Sequence, residues 1–251
     1  IPAWWTEEIG KMRVVIPEDE KKALTHYAYH IKAGKEIFAA EGAFGQYLIC
    51  FRDYPVAIGI TAGASEYLAA DICLKYIKEA VQIPCEKENL EEAQEKLEEK
   101  LVHLTLPKPE GDKKDTNEAT KKLLNKRIAF TENPRQIESA VISTVGEELK
   151  LELTVAGEKK ILFAGYKDWK CNDMYPNDFT KRYHAVSYAF DEDALYLSVG
   201  LLNTSYREEY CLWVNSENVV VGTWRPNVTY LPAEEDMTWK FTGTFEPSCI
   251  L

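Results

Sequence analysis

Between Arg127 and Phe245 the sequence repeats one pattern: a short run of alternating apolar and polar residues, then a turn. The runs fall at Arg127–Thr131, Ser139–Thr144, Leu149–Val155, Lys160–Phe163, His184–Phe190, Leu195–Leu201, Glu209–Val214, Val219–Thr223 and Trp239–Phe245. A period of two puts one face of each run on a core and the other toward water, which is the pattern of a half-buried strand. The turns between them are Val145-Gly146-Glu147-Glu148, Ala156-Gly157-Glu158, Asp191-Glu192-Asp193 and Asn215-Ser216-Glu217-Asn218. Hairpins in sequence at this spacing predict a sandwich or an up-and-down barrel. Closure removes unpaired strand edges, so the barrel is the preferred reading. This all-β domain is taken to span 126–251.

Two other regions precede it. In 1–85, Tyr27–Ala33 alternates in strand fashion, Gly34 marks a turn, and Gln46–Phe51 and Val56–Thr61 are apolar strands around the turn Arg52-Asp53-Tyr54-Pro55. The last two strands are nearly continuous in apolar character, which predicts cover on both faces. Gly63-Ala64-Ser65 opens a helix with Ser65 as N-cap, and Ala69, Ile72, Cys73, Tyr76, Ile77 and Ala80 recur at helical spacing. The segment 86–125 is a bridge. Leu90, Ala93, Leu97, Leu101 and Leu104 form one stripe of a helix over 88–104. Its Glu91, Glu92, Glu95, Glu98 and Glu99 read as a solvated face with partners such as Lys96, not as an acidic site. The proline-bearing, charged stretch Leu106–Asp115 is the best domain boundary. The expected fold class is therefore α+β: an antiparallel sheet with a packing helix, followed by an all-β barrel-like domain.

Composition narrows the function classes. At 251 residues and 45% hydrophobic, the chain can form one large or two small cores. Its net charge of −11 repels phosphate backbones, so nucleic acid is not an expected partner. No membrane partner is expected either, since the best apolar stretch, Val56–Ile60, falls far below the roughly 20 residues a bilayer helix needs. The start, Ile1-Pro2-Ala3-Trp4-Trp5, lacks both a Met and a signal-peptide pattern and reads as a fragment of a longer protein. The six cysteines form no CxxC pair and suit a reducing, cytoplasmic compartment. Asn203-Thr204-Ser205 and Asn227-Val228-Thr229 match the glycosylation pattern, which is short enough to occur by chance.

The scan for chemistry is mostly negative. There is no Ser-x-x-Lys, no GxSxG elbow and no HExxH, and no metal or cofactor is expected. His30 reads as an ordinary strand-face residue, and Glu234-Glu235-Asp236 as a solvated loop. Gly42-Ala43-Phe44-Gly45-Gln46 lies between strands, so it marks a close backbone approach or a kink and not a nucleotide loop. Trp169, Trp213, Trp224 and Trp239 are either core aromatics or a ligand-stacking wall.

The stretch Glu41-Gly42-Ala43-Phe44-Gly45-Gln46-Tyr47-Leu48-Ile49-Cys50-Phe51, followed by Val56-Ala57-Ile58-Gly59-Ile60-Thr61-Ala62-Gly63, resembles the closing strands of bacterial serine hydrolases of the class C β-lactamase and penicillin-binding type. The segments Trp5-Thr6-Glu7-Glu8 and Tyr27-Ala28-Tyr29, the helix at 88–104, the Leu-Pro-x-Pro linker and Glu132-Asn133-Pro134 extend the likeness along the chain. The resemblance implies that 1–85 is the closing part of a β-lactamase-like domain and that 126–251 is an accessory domain. In that family Ser-x-x-Lys supplies nucleophile and base, a Tyr-x-Asn motif assists, and Lys/His-x-Gly lies on the strand beside the nucleophile. The last would fall at Ala40-Glu41-Gly42, with Ala40 where the family has a cation. Tyr175-Pro176-Asn177 fits the Tyr-x-Asn pattern but falls in the other domain, where it reads as chance. Gly42 and Ala43 are then the candidate site residues: Gly42 permits close approach of an acyl group, and the Ala43 amide stands where one oxyanion donor would be.

Without a nucleophile the chain is expected to be inactive alone, as the C-terminal portion of such a hydrolase. The implied partners are a small acyl substrate of the parent enzyme and either the missing N-terminal half or a second copy. The alternative reading is a non-enzymatic module whose barrel binds a small ligand or a peptide.

Overall fold

The protein is described by a computed structural model covering residues 2–17, 22–64, 69–82, 90–111, 120–172, 183–229 and 237–247. Two compact units divide the chain, Ile1–Thr105 and Leu106–Leu251. Ser65, Tyr175-Pro176-Asn177 and Glu234-Glu235-Asp236, singled out in the sequence, lie outside the described residues.

The first unit begins with helix α1 (Ala3–Ile9) and continues as a six-stranded antiparallel meander: β1 (Val14–Val15), β2 (His26–Ala28), β3 (Ile31–Ala33), β4 (Ile37–Gly42), β5 (Gln46–Phe51) and β6 (Ala57–Ile60). The run Tyr27–Ala33 is not one strand as its alternation suggested. Tyr29 and His30 both take positive φ, 51° and 61°, and fold it into a two-residue hairpin. His30 is therefore a turn residue; its Nδ1 lies 3.1 Å from the Tyr27 hydroxyl.

Helix α2 (Ala69–Ala80) covers one face of this sheet, where Ile37, Ala39, Tyr47, Ile49 and Phe51 pack with Ala70 and Cys73. Two polar contacts fix the helix: the Ala23 N–H donates to Asp71 Oδ1 at 2.8 Å, and Lys78 pairs with Glu36 at 2.6 Å. The other face is only partly covered. Phe38 lies beneath the Arg52 guanidinium at 5.3 Å, whereas Leu48, Ala57 and Gly59 are exposed. Among the described residues that face is covered less than the apolar character of β5 and β6 suggests, and Ala57 and Gly59 bring little apolar side chain to it. Helix α3 (Leu90–Val102) has no buried residue; its Lys96–Glu92 pair at 2.5 Å matches the solvated-face reading.

The second unit is a closed nine-stranded β-barrel. Its strands are β7 (Arg127–Phe130), β8 (Ile137–Val145), β9 (Glu148–Val155), β10 (Glu158–Tyr166), β12 (His184–Asp191), β13 (Ala194–Leu201), β14 (Arg207–Val214), β15 (Val220–Pro226) and β16 (Trp239–Phe245), with a short β11 (Lys170–Asn172) beside the seam. Each barrel strand pairs antiparallel with its chain neighbour, and β16 returns to pair with β7. An odd number of alternating strands must close with one parallel pair. That pair is β10–β12, joined at Gly165↔Ser187 and Tyr166↔Tyr188. Ala156 (φ 50°) and Gly157 (φ 78°) make the tight β9–β10 turn, as the sequence signalled.

The barrel is an accommodation of large against small. A Cβ built at Gly222 would lie 2.3 Å from Cζ of Phe241, so the glycine makes room for the ring on the facing strand. Outward on β12 and β13, Ala185, Ala189, Ser198 and Gly200 are small, and the segment 106–111 runs against them. A Cβ at Gly111 would meet the Phe190 carbonyl oxygen at 2.8 Å and the Ala189 Cβ at 3.0 Å, and Leu106 lies beside Gly200. Lys108 anchors this segment to Asp168 at 3.3 Å. Among the described residues no helix is long and apolar enough to cross a membrane.

Candidate functional site

Side chains entering the barrel do not fill it evenly. At one end Leu123, Ile128, Leu149, Leu195 and Val220 are fully buried, and the Tyr188 hydroxyl donates to the Glu147 carbonyl at 2.9 Å. That end is a solid apolar plug. Beyond it lies a cavity of about 120 Å³. Its walls are apolar in depth, with Ile142, Leu151, Leu197, Leu212 and Phe241, and polar at the far end.

Strand register explains the polarity. Glu208 pairs with Val199 and Pro226 near the strand ends, His184 is the first residue of β12, and Lys160 pairs with Leu153 close to the β9–β10 turn. Arg135 comes from the β7–β8 connection at the same end. Four polar side chains thus collect at one mouth, carried by separate elements.

Three groups there form a chain. Arg135 Nη2 lies 3.1 Å from Glu208 Oε1, and the Tyr210 hydroxyl donates to Glu208 Oε2 at 2.6 Å. Both carboxylate oxygens are therefore engaged, although the Glu208 side chain is only 9% exposed. The Arg135 guanidinium also lies 5.9 Å from the Trp224 ring. Burial, then the Glu208 charge, pushes the Tyr210 phenol well above its ordinary pKa, so it stays a donor at neutral pH. Burial opposes the charge on Arg135, but Glu208 and Tyr210 outweigh it and hold the guanidinium's pKa above its usual value. Arg135 Nε is buried and has no hydrogen-bond partner among the described residues.

None of the four tryptophans lines the cavity. Trp224 and Trp239 stack on each other at 4.8 Å, with Trp224 in the core behind Arg135, and Trp169 lies beside Gly200. Asn227 is engaged locally, accepting from the Arg207 N–H at 2.8 Å and donating to the Ser205 carbonyl at 2.8 Å.

The residues Gly42 and Ala43 lie in the other unit, at the β4–β5 hairpin. Gly42 pairs with Gln46, and Phe44 (φ 62°) and Gly45 (φ 84°) carry the turn. Gln46 Nε2 donates to the Ala62 carbonyl, and the Ala64 N–H donates to the Phe44 carbonyl at 3.1 Å, so the turn is tied to the chain leaving β6. Glu41 points into the sheet's covered side: it pairs with Lys32 at 2.7 Å and accepts from the Tyr47 hydroxyl at 3.2 Å. Strand β3 pairs with β4 only at Phe38 and Ala39. Among the described residues no group of three or more His, Cys, Asp and Glu is placed to hold a metal ion.

Sequence reasoning missed Arg135, Lys160, Glu208 and Tyr210. The signal was parity: Glu208, Tyr210 and Leu212 share one face of β14, so an inward charge follows once the strand is started at Arg207 and not at Glu209. No protein-family model and no curated protein matches the chain.

Proposed function

We propose that the Leu106–Leu251 barrel is a binding module that holds a small, largely apolar molecule in its interior. The observation that carries this reading is the unfilled cavity between the apolar plug and the polar mouth. Protein interiors are close-packed, and empty space among apolar side chains forfeits dispersion contacts. A cavity lined by leucine, isoleucine and phenylalanine is a site that apolar ligands enter readily. The polar end supplies orientation, as in most small-molecule pockets. Titrating the whole chain with 1-octanol in a calorimeter tests this. Saturable binding at one site supports the proposal, and no heat beyond dilution at millimolar octanol refutes it.

A second reading concerns the whole chain: the C-terminal portion of a serine hydrolase of the β-lactamase or penicillin-binding type. Its support is the sequence resemblance together with the short β3–β4 pairing. Ala40, Glu41 and Gly42 carry no β3 partner, which leaves that edge of β4 free for a reacting group in a parent enzyme. The Ala43 amide would then supply one oxyanion donor. No Ser-x-x-Lys is present, so this chain would not turn over substrate by itself. Incubation with a labelled penicillin followed by intact-mass measurement should give no adduct. A stoichiometric acyl-serine would overturn this reading.

A further inference from the structure

We infer that the molecule held by the barrel is a medium-chain monocarboxylate, its acyl tail among Leu151, Leu197 and Leu212 and its carboxylate at the mouth beside Arg135. This rests on the reading of the barrel as a small-molecule container and adds the class of ligand.

Size is the first argument. A water needs about 10–15 Å³ of cavity, so 120 Å³ has room for about ten non-hydrogen atoms. A chain of eight carbons ending in a carboxylate is of that order. Polarity is the second. The depth of the cavity offers an alkyl chain nothing but apolar contacts, and the charged groups stand at one end only. A ligand apolar throughout would leave that end unmatched, and one polar throughout would strand its polar atoms against leucine.

The third argument is the character of the polar end. Glu208 does not ask for a cation, because Arg135 and the Tyr210 hydroxyl already engage its two oxygens. Arg135 lines the cavity, and its guanidinium carries N–H groups beyond the Nη2 that meets Glu208, from which a ligand oxygen at the mouth would accept. Guanidinium groups suit carboxylates because several N–H groups lie in one plane. A carboxylate matched to this guanidinium is favoured over a neutral head, and a cation beside it is opposed.

The test uses the whole chain and three probes of equal chain length: octanoate, 1-octanol and octylammonium, titrated by calorimetry at pH 7.5. Octanoate is expected to bind at least tenfold more tightly than 1-octanol, and octylammonium most weakly. Arg135→Met alone would strand Glu208, so the companion variant is Arg135→Met with Glu208→Gln, its fold checked by circular dichroism. In that double variant octanoate affinity should fall to that of 1-octanol, whose own affinity should change little. If 1-octanol binds the unaltered chain as tightly as octanoate, the carboxylate assignment is wrong and the container reading survives. If octylammonium binds best, the assignment is likewise wrong. If the double variant keeps the preference for octanoate, Arg135 is not the recognising group. If none of the probes binds, the container reading itself fails.

Discussion

Asn172 completes the barrel where its strands do not: its Nδ2 donates to the Phe163 carbonyl at 3.0 Å, and its Oδ1 accepts from the Phe163 N–H at 2.6 Å. The parallel β10–β12 junction spans only two residue pairs. Above it β10 would present an open edge, and β11 is too short to pair with it as a strand. One amide side chain, itself 9% exposed, takes the place of a ladder rung. Asn172→Ala should therefore leave a peptide group of β10 unsatisfied and cost about 2–4 kcal/mol, read from urea unfolding. A loss below about 0.5 kcal/mol, the range of an ordinary surface change, would show that the seam does not depend on it.

The pairing of Gly222 with Phe241 makes a second expectation. Gly222→Ala forces the ring away and should cost about 1–3 kcal/mol by overpacking. Shortening the ring with Phe241→Leu in the Gly222→Ala background should recover part of that loss. Additive losses in the double variant would mean that the two residues do not compete for the same space.

Tyr210 predicts an alkaline limit. Its folded pKa is raised, so its contribution to stability is complete below the unfolded tyrosine value of about 10 and is lost as pH rises toward the folded value. Ultraviolet titration of the folded chain should show a tyrosine that ionises later than the exposed ones, and Tyr210→Phe should remove it. Ionisation of every tyrosine in one step near the ordinary value, with the barrel still folded, would contradict the buried Tyr210–Glu208 bond.

Asp168 acts at the opposite extreme of pH. Its hydrogen bond from Lys108 comes first, then one from the Trp169 amide, and both lower its carboxyl pKa. A lowered folded pKa gives stability that is present above the ordinary carboxylate value and is lost as pH falls through the folded one. Lys108→Met should thus lower stability slightly at neutral pH, flatten the acid side of the curve, and leave stability unchanged once pH lies below the folded Asp168 value. An equal effect at neutral and acid pH would indicate lost packing of the 106–111 segment and not lost charge.

Filling the cavity offers a further check. Ala140 lines it and is itself buried. Ala140→Leu should occupy part of the space, leave the chain folded, and weaken 1-octanol binding at least tenfold. Unchanged binding would place the octanol elsewhere.

How much of this was legible in the sequence differs between the two units. The barrel strands were, because alternation over Ser139–Thr144 or Leu195–Leu201 records one buried face directly. The tenth strand, Lys170–Asn172, was not: three residues carry no period, and its role depends on a side chain bonding to a strand distant in register. In the first unit Tyr27–Ala33 misled: Ala28 pairs with Ile31, so one face passes from even to odd positions at the turn, and seven residues are too few to show the switch. Positive φ at Tyr29 has no signature in its residue type, and His30 carries only histidine's modest enrichment there. The cavity mouth was hidden for another reason. Arg135 is a loop residue with no period, and it meets Glu208 only because β7, β16, β15 and β14 stand side by side.

Methyl-resolved nuclear magnetic resonance of the whole chain, titrated with 1-octanol, addresses the central claim most directly. A container predicts saturable shifts at Ile142, Leu151, Leu197 and Leu212, with the plug residues Leu149 and Leu195 moving less and exposed Leu48 not at all. Shifts confined to exposed leucines of α3 or to Leu48, with the cavity methyls unmoved, would contradict it.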